Sequence, residues 1–335
     1  MINLLNFFLK HQLKRAKQAQ MSKGFTLVEL LIAIALSSIV IGTLLSFMNN
    51  ILNSERQEQA KAITEQETQQ AIDYIANDLK EAIYIYDADG INAIKSQLPN
   101  ATDTNKVPVL VFWKRSFLPK ERNIKDINDN STTVGCLVKI PPNGTNCDNR
   151  DYFVYSLVSY YLIKDNSSTW SKTARIGRFE VQDAIKAPYS SNYLTSAAPG
   201  FKLFDLNQAG TTLKEKMNAW TKASTSYDLT KNKIDILVDY IDQSTNSALI
   251  PPTNFCINNP SANAQLVPVN NSTANPLGIY SFYACVDSSR NLAKVYIRGN
   301  ALARLSNNAT FANSKSTYFP LVSVQVKNRG LLGVQ

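Results

Sequence analysis

The chain reads as an α+β protein: one long N-terminal α-helix whose second half packs on an antiparallel β-sheet domain. Three observations lead there. Phe25 to Met48 is an apolar run with a single formal charge, Glu29. From Thr43 to Ala88 there is neither glycine nor proline, so nothing interrupts a helix that continues past the run. Beyond residue 84, windows rich in Tyr, Val and Ile alternate with stretches of Asn, Ser, Thr and Pro, the pattern of strands and loops.

The apolar run sets the first boundary. About 20 apolar residues cross a membrane core as a helix, so residues 25–48 can span one. Glu29 lies one turn inside the span, where an unpaired charge costs about 3 kcal/mol even on lenient insertion scales. No Lys or Arg follows within the span, so the chain offers no intramembrane partner of its own. Cutting the bond between Gly24 and Phe25 would supply one, because the new α-amine at Phe25 would sit at the membrane depth of Glu29 in a neighbouring subunit.

A basic leader, then Gly24-Phe25-Thr26-Leu27-Val28-Glu29, then an apolar helix, resembles the type IV prepilin family. The resemblance implies that a prepilin peptidase cleaves after Gly24, that the Phe25 amine is N-methylated, and that Glu29 forms a salt bridge with that amine of an adjacent subunit. It implies a pilin-like fold divided into a leader at 1–24, a helix over 25–83 and a globular β-rich domain over 84–335. A plain signal anchor with an incidental Glu is the competing reading. A removable secretory signal fits worse, since Ser46-Phe47-Met48-Asn49-Asn50 is a poor cleavage site. The start could be Met1 or Met21; the mature product would be the same.

Gln69 to Ala82 resembles the second half of the helix in PilW-type minor pilins and in minor pseudopilin J of type II secretion, and Tyr160 to Leu162 with Arg175 to Arg178 is similar to them too. Gln57 to Ala62 and Tyr84 to Ile91 resemble a cyanobacterial group of hormogonium polysaccharide secretion pseudopilins. The partners implied are other pilins or pseudopilins, the prepilin peptidase and an inner-membrane assembly platform. The implied location is the inner membrane, single-pass, with the C-terminal domain periplasmic until assembly carries it into a surface filament.

Charge and composition narrow the functions. The 335 residues carry a formal charge of +9, but the first 24 hold five Lys or Arg and no acid. Without them 30 basic residues face 26 acidic ones, so much of the basicity belongs to a leader whose charge holds that end inside. The remainder has no dense basic block, which argues against nucleic-acid binding. The one histidine, His11, lies in the leader, so a mature chain has none for a Ser-His-Asp or Cys-His mechanism. No spacing implies an enzyme, a cofactor or a metal. Cys136, Cys147, Cys256 and Cys285 all lie on the exported side, where an even number reads as disulfides. Four allow three pairings; Cys136 with Cys147 and Cys256 with Cys285 each close a local loop.

Along the globular part, Ile72, Ile75, Leu79 and Ala82 or Ile83 mark a buried helix face. The helix is expected to end around Tyr84 to Gly90, where Asp87 and Asp89 read as a turn rather than a calcium loop. Strands are expected at 107–113, 152–163, 174–181, 234–241, 279–286, 292–298 and 321–326, with a short helix near 213–222 and a long surface loop at 250–276. The pairs Tyr160/Tyr161 and Tyr280/Tyr283 could line a glycan groove, or be sheet core. Two function classes follow: a minor pilin or pseudopilin of a filament serving motility or secretion, and an anchored exported binding module for DNA or glycan.

Overall fold

In the computed structural model, which describes residues 26–328 except 143, 253, 307 and 308, the apolar run opens helix α1, Leu27–Lys80. The chain divides into two compact units with the boundary at Arg56.

In the first unit every described residue is exposed, including the large side chains from Leu27 to Leu52. Such a contiguous apolar surface needs cover from outside the chain. By length and composition α1 is apolar enough to cross a membrane, with a mean hydropathy of 2.5 over its most apolar window. The polar side chains in this stretch satisfy themselves: the hydroxyls of Ser37, Ser38 and Thr43 donate to the carbonyls of Ala33, Ala35 and Val40 at 2.7, 2.8 and 2.9 Å.

In the second unit the helix becomes amphipathic. Ala60, Thr64, Thr68, Ala71, Ile72, Ile75, Ala76 and Leu79 are buried at spacings of three and four. The helix ends at Lys80, and the apolar positions expected to extend it to Ile83 belong to strand β1, Ala82–Ile85. A helix stripe and a short buried strand share their apolar residues here, so periodicity alone ran past the end.

Beneath the helix lies an antiparallel sheet of five strands in the order β1-β2-β7-β8-β9. Its members are β1, β2 (Lys106–Leu118), β7 (Tyr152–Ile163), β8 (Ala174–Gln182) and β9 (Asp235–Ile241). Between β2 and β7 sit two small hairpins, β3 (Asn123–Lys125) with β4 (Ser131–Thr133), and β5 (Lys139–Ile140) with β6 (Asn146–Cys147). A second antiparallel sheet runs β10 (Gln265–Val267), β11 (Phe282–Asp287), β12 (Leu292–Arg298), β13 (Leu321–Lys327). One apolar core runs through both sheets and the helix, from Ile75 and Leu79 to Phe112, Phe282 and Val295.

The central strands were legible from β-branched and aromatic content; several short elements were not. The turn expected at Asp87 to Gly90 is the start of helix α2, Ala88–Ile94, with Asp87 as N-cap accepting from the Gly90 N–H at 3.0 Å. The surface loop at 250–276 contains β10, which pairs with β11 over three residues. The four tyrosines offered as a glycan groove are all buried, Tyr160 and Tyr161 in the main core and Tyr280 and Tyr283 in a satellite cluster with Cys256 and Cys285. That reading is corrected: the rings are sheet core.

Opposite the helix, Trp113 is wholly buried. Its ring meets Phe201, Phe204 and Trp220 edge-on at 5.8, 5.2 and 5.6 Å. Its indole N–H donates to Tyr86 Oη, whose own hydroxyl donates to the Met217 carbonyl, so the polar atoms of both side chains are satisfied. Met217 lies in helix α3, Leu213–Asn218, shorter than the helix expected there.

Candidate functional site at the helix N-terminus

Gly24, Phe25 and the leader that contains His11 lie outside the described residues, so the geometry begins at Thr26. Thr26 precedes the first helical residue and Glu29 follows three positions on, the spacing of a reciprocal helix cap. Both halves of that cap are present. The Thr26 hydroxyl oxygen accepts from the Glu29 N–H at 3.2 Å. Glu29 Oε2 accepts from the Thr26 N–H and from the Thr26 hydroxyl, each at 3.0 Å. A carboxylate in the first turn also faces the positive end of the helix dipole.

This arrangement gives the Glu29 carboxylate two local donors on one oxygen. Glu29 Oε1 has no hydrogen-bond partner among the described residues and remains an acceptor for a cation from outside. Glu29 is also the only formal charge between Thr26 and Ser54. Thr26 as the partner of Glu29 was missed in the sequence, although Thr-Leu-Val-Glu is the signal for it.

A second group of charges anchors the far end of the helix. Asp78 is buried and accepts three bonds: Lys114 Nζ at 2.9 Å from β2, Tyr160 Oη at 2.6 Å from β7, and Arg178 Nε at 2.7 Å from β8. Glu180 Oε2 takes the other side of Arg178 at 2.6 Å, and Glu81 Oε2 lies 3.3 Å from Lys114 Nζ. Burial pushes the Asp78 carboxyl up, but the hydrogen bond and charge of Arg178 and the charge of Lys114 outweigh it, and the net shift is down. Burial alone would lower Lys114, yet Glu180 and Asp78 hold it above the ordinary lysine range. Burial, with the charge of Asp78 added, raises the Tyr160 hydroxyl so that it stays protonated and donating.

Further along the helix, Arg304 Nε donates to Thr64 Oγ1 at 2.9 Å and its guanidinium pairs with Glu67. Tyr318 Oη donates to Gln57 Oε1 at 2.7 Å, and the Lys61 ammonium lies 4.3 Å from the Tyr318 ring centre. Gly299 comes so close that a Cβ there would lie 2.6 Å from Thr64 Cγ2 and 2.8 Å from Thr68 Oγ1. These contacts fix the helix to the segment that joins β12 to β13.

The cysteines are joined Cys136–Cys147 and Cys256–Cys285, with Cα separations of 4.5 and 5.3 Å. Among the described residues no group of His, Cys, Asp and Glu is placed to hold a metal ion. Cys256–Cys285 ties the 250–276 segment to β11, inside the cluster of Tyr280, Tyr283 and Tyr296.

Compared with known proteins, residues 20–45 match the family model for the prokaryotic N-terminal methylation motif. No curated protein matches the chain significantly. Nor does any solved structure.

Proposed function

We propose that this chain, which carries the type IV prepilin motif at its N-terminus, is a minor pilin or pseudopilin of a type IV pilus-like or type II secretion-like filament. The motif supports a type IV pilin-like subunit, and members of that family are structural subunits rather than enzymes. The observation that carries the finer reading is Glu29: one charge in the exposed apolar stretch at 26–54, capped locally on one oxygen and open to a donor on the other. In this reading a prepilin peptidase cuts between Gly24 and Phe25, and the Phe25 amine is methylated. As the helix enters a filament, that amine pairs with Glu29 of a neighbouring subunit, which offsets the burial of both charges. Before assembly the chain sits in the inner membrane, residues 25–48 spanning it and residues 84–335 on the periplasmic side. Its partners are other pilins, the peptidase and the assembly platform, and its work supports motility or the export of polysaccharide or protein.

The test is the N-terminus of the membrane-extracted protein by mass spectrometry, in wild type and in Gly24→Leu. N-methylated Phe25 in the wild type, lost in the variant, is the expected result. An intact leader in both would leave the second reading, an anchored exported binding module. Glu29→Ala is expected to be processed normally yet be missing from sheared filaments; finding it there at wild-type levels would sink its assembly role.

A further inference from the structure

The hairpin after β8 carries rings and charges that the fold does not use. Lys186 and Tyr193 face each other across an isolated antiparallel bridge. The Leu194 N–H donates to the Ile185 carbonyl at 2.7 Å and the Ala187 N–H to the Asn192 carbonyl at 2.9 Å, closing the hairpin. At its tip Tyr189 has a φ of +58° and a wholly exposed ring. That left-handed backbone suits glycine, and a bulky residue rarely adopts it. Tyrosine there gives the fold no packing in return.

Beside the hairpin lies an open cleft of about 500 Å³ with Tyr193 on its wall and Phe201 in its floor. Three charged side chains line it, Asp183, Lys186 and Lys202. None of the three has an ion-pair partner among the described residues. Asp183 accepts only from the adjacent Ala184 N–H, at 2.8 Å. The Lys186 ammonium lies 5.1 Å from the Tyr193 ring centre, and Lys202 Nζ reaches the Thr221 hydroxyl at 3.5 Å. Asp78, Asp165 and Asp242 are matched by Lys or Arg, and the half-buried Asp239 by two bonds from Ser171, whereas Asp183 has neither. Here burial raises the Asp183 carboxyl, against weaker opposing effects of the Ala184 bond and Lys186, and no cation closes on it.

We infer that this cleft binds an acidic saccharide. A sugar ring offers an apolar C–H face to Tyr193 and a pair of hydroxyl donors to Asp183, while a carboxylate or sulfate on the chain meets Lys186 and Lys202. A neutral sugar would leave both lysines unmatched. A peptide anchored by an apolar side chain would want a deep pit, and this cleft is open and carries a net positive charge. The site lies wholly in the second unit and does not depend on entry into a filament, so its failure and that of the filament reading are separable.

The test is fluorescence anisotropy with labelled hexagalacturonate and a labelled sulfated hexasaccharide. Maltohexaose and hexaglutamate serve as comparators, and the probes are titrated with the full chain in detergent micelles. The expected result is binding to at least one acidic saccharide that weakens as salt rises. Affinity should fall about tenfold in Tyr193→Ala and in the Lys186→Gln/Lys202→Gln pair. The lysine pair alters exposed side chains, so unchanged melting in that variant keeps the test decisive if Tyr193→Ala folds poorly. Absence of binding to both acidic saccharides overturns the proposal. So does equal affinity for maltohexaose or hexaglutamate, or acidic-saccharide binding that none of these variants changes.

Discussion

Removing the Asp78 carboxylate should be the most damaging single change at the helix–sheet contact. Asp78 and Lys114 are 8% and 7% exposed, so the variant Asp78→Ala leaves a cation buried beside two partners it cannot fully share. Breaking a buried pair by removing one member costs about 3–5 kcal/mol. Lys114 keeps Glu81 at 3.3 Å and Glu180 at 4.0 Å, and Arg178 keeps Glu180 at 2.6 Å, which places the expectation at the low end. A loss of about 3 kcal/mol in a domain this size lowers the melting temperature by roughly 6–12 °C. The assay is thermal unfolding of the full chain in detergent, followed by tryptophan emission, since Trp113 and Trp220 are buried in the second unit. Replacing the group together, Asp78→Leu with Lys114→Met, Arg178→Met, Tyr160→Phe and Glu180→Gln, should recover most of the loss, because the only charge left without its cation is then the exposed Glu81. An Asp78→Ala protein melting within about 1 °C of wild type would refute the reasoning.

Three further outcomes follow from the same contacts. Because the Asp78 carboxyl is held below its ordinary value, its stabilisation is complete above the unfolded pKa of about 3.9 and is lost as pH falls through the lower folded value. Denaturant midpoints should therefore drop below about pH 4, and less steeply in Asp78→Asn; identical slopes would remove Asp78 from the acid transition. Gly299→Ala would drive a methyl into Thr64 and Thr68 and should destabilise by about 1–3 kcal/mol, read as a lower melting temperature of the second unit. Opening Cys256–Cys285, which spans 29 residues, should cost more than opening Cys136–Cys147, which spans 11. The loop-closure account gives about 4 against about 3 kcal/mol, and paired Cys→Ser variants compared by denaturant titration check the order.

What could be read in advance divides by distance along the chain. The apolar run, the helix it opens and the central strands show in local hydropathy and β-branched content, which depend on neighbours only. The Thr26–Glu29 cap is equally local, since Thr and Glu three positions apart at the start of an apolar run carry its signal. Asp78 with Lys114 and Arg178 was not legible, because the partners are 36 and 100 residues away and nothing in the sequence of any one marks the others. Strand β10 was hidden by the Pro and Asn around it: only three residues pair, and their order comes from β11 rather than from their own propensity. The tyrosines at 160, 161, 280 and 283 were ambiguous for the opposite reason, since the same residue type serves a core and a binding surface.

The contacts that hold the helix to the rest of its domain also determine how it answers a pull. They are spread from Gln57 through Thr64 and Glu67 to Asp78, about 32 Å at 1.5 Å per residue. A load along the axis meets them side by side, in shear, and each carries a share at once. To slide by one turn the helix would have to break the Tyr318, Arg304 and Arg178 bonds together and carry Thr64 and Thr68 past Gly299. A joint loaded this way resists tension better than one that opens contact by contact, as a zip does.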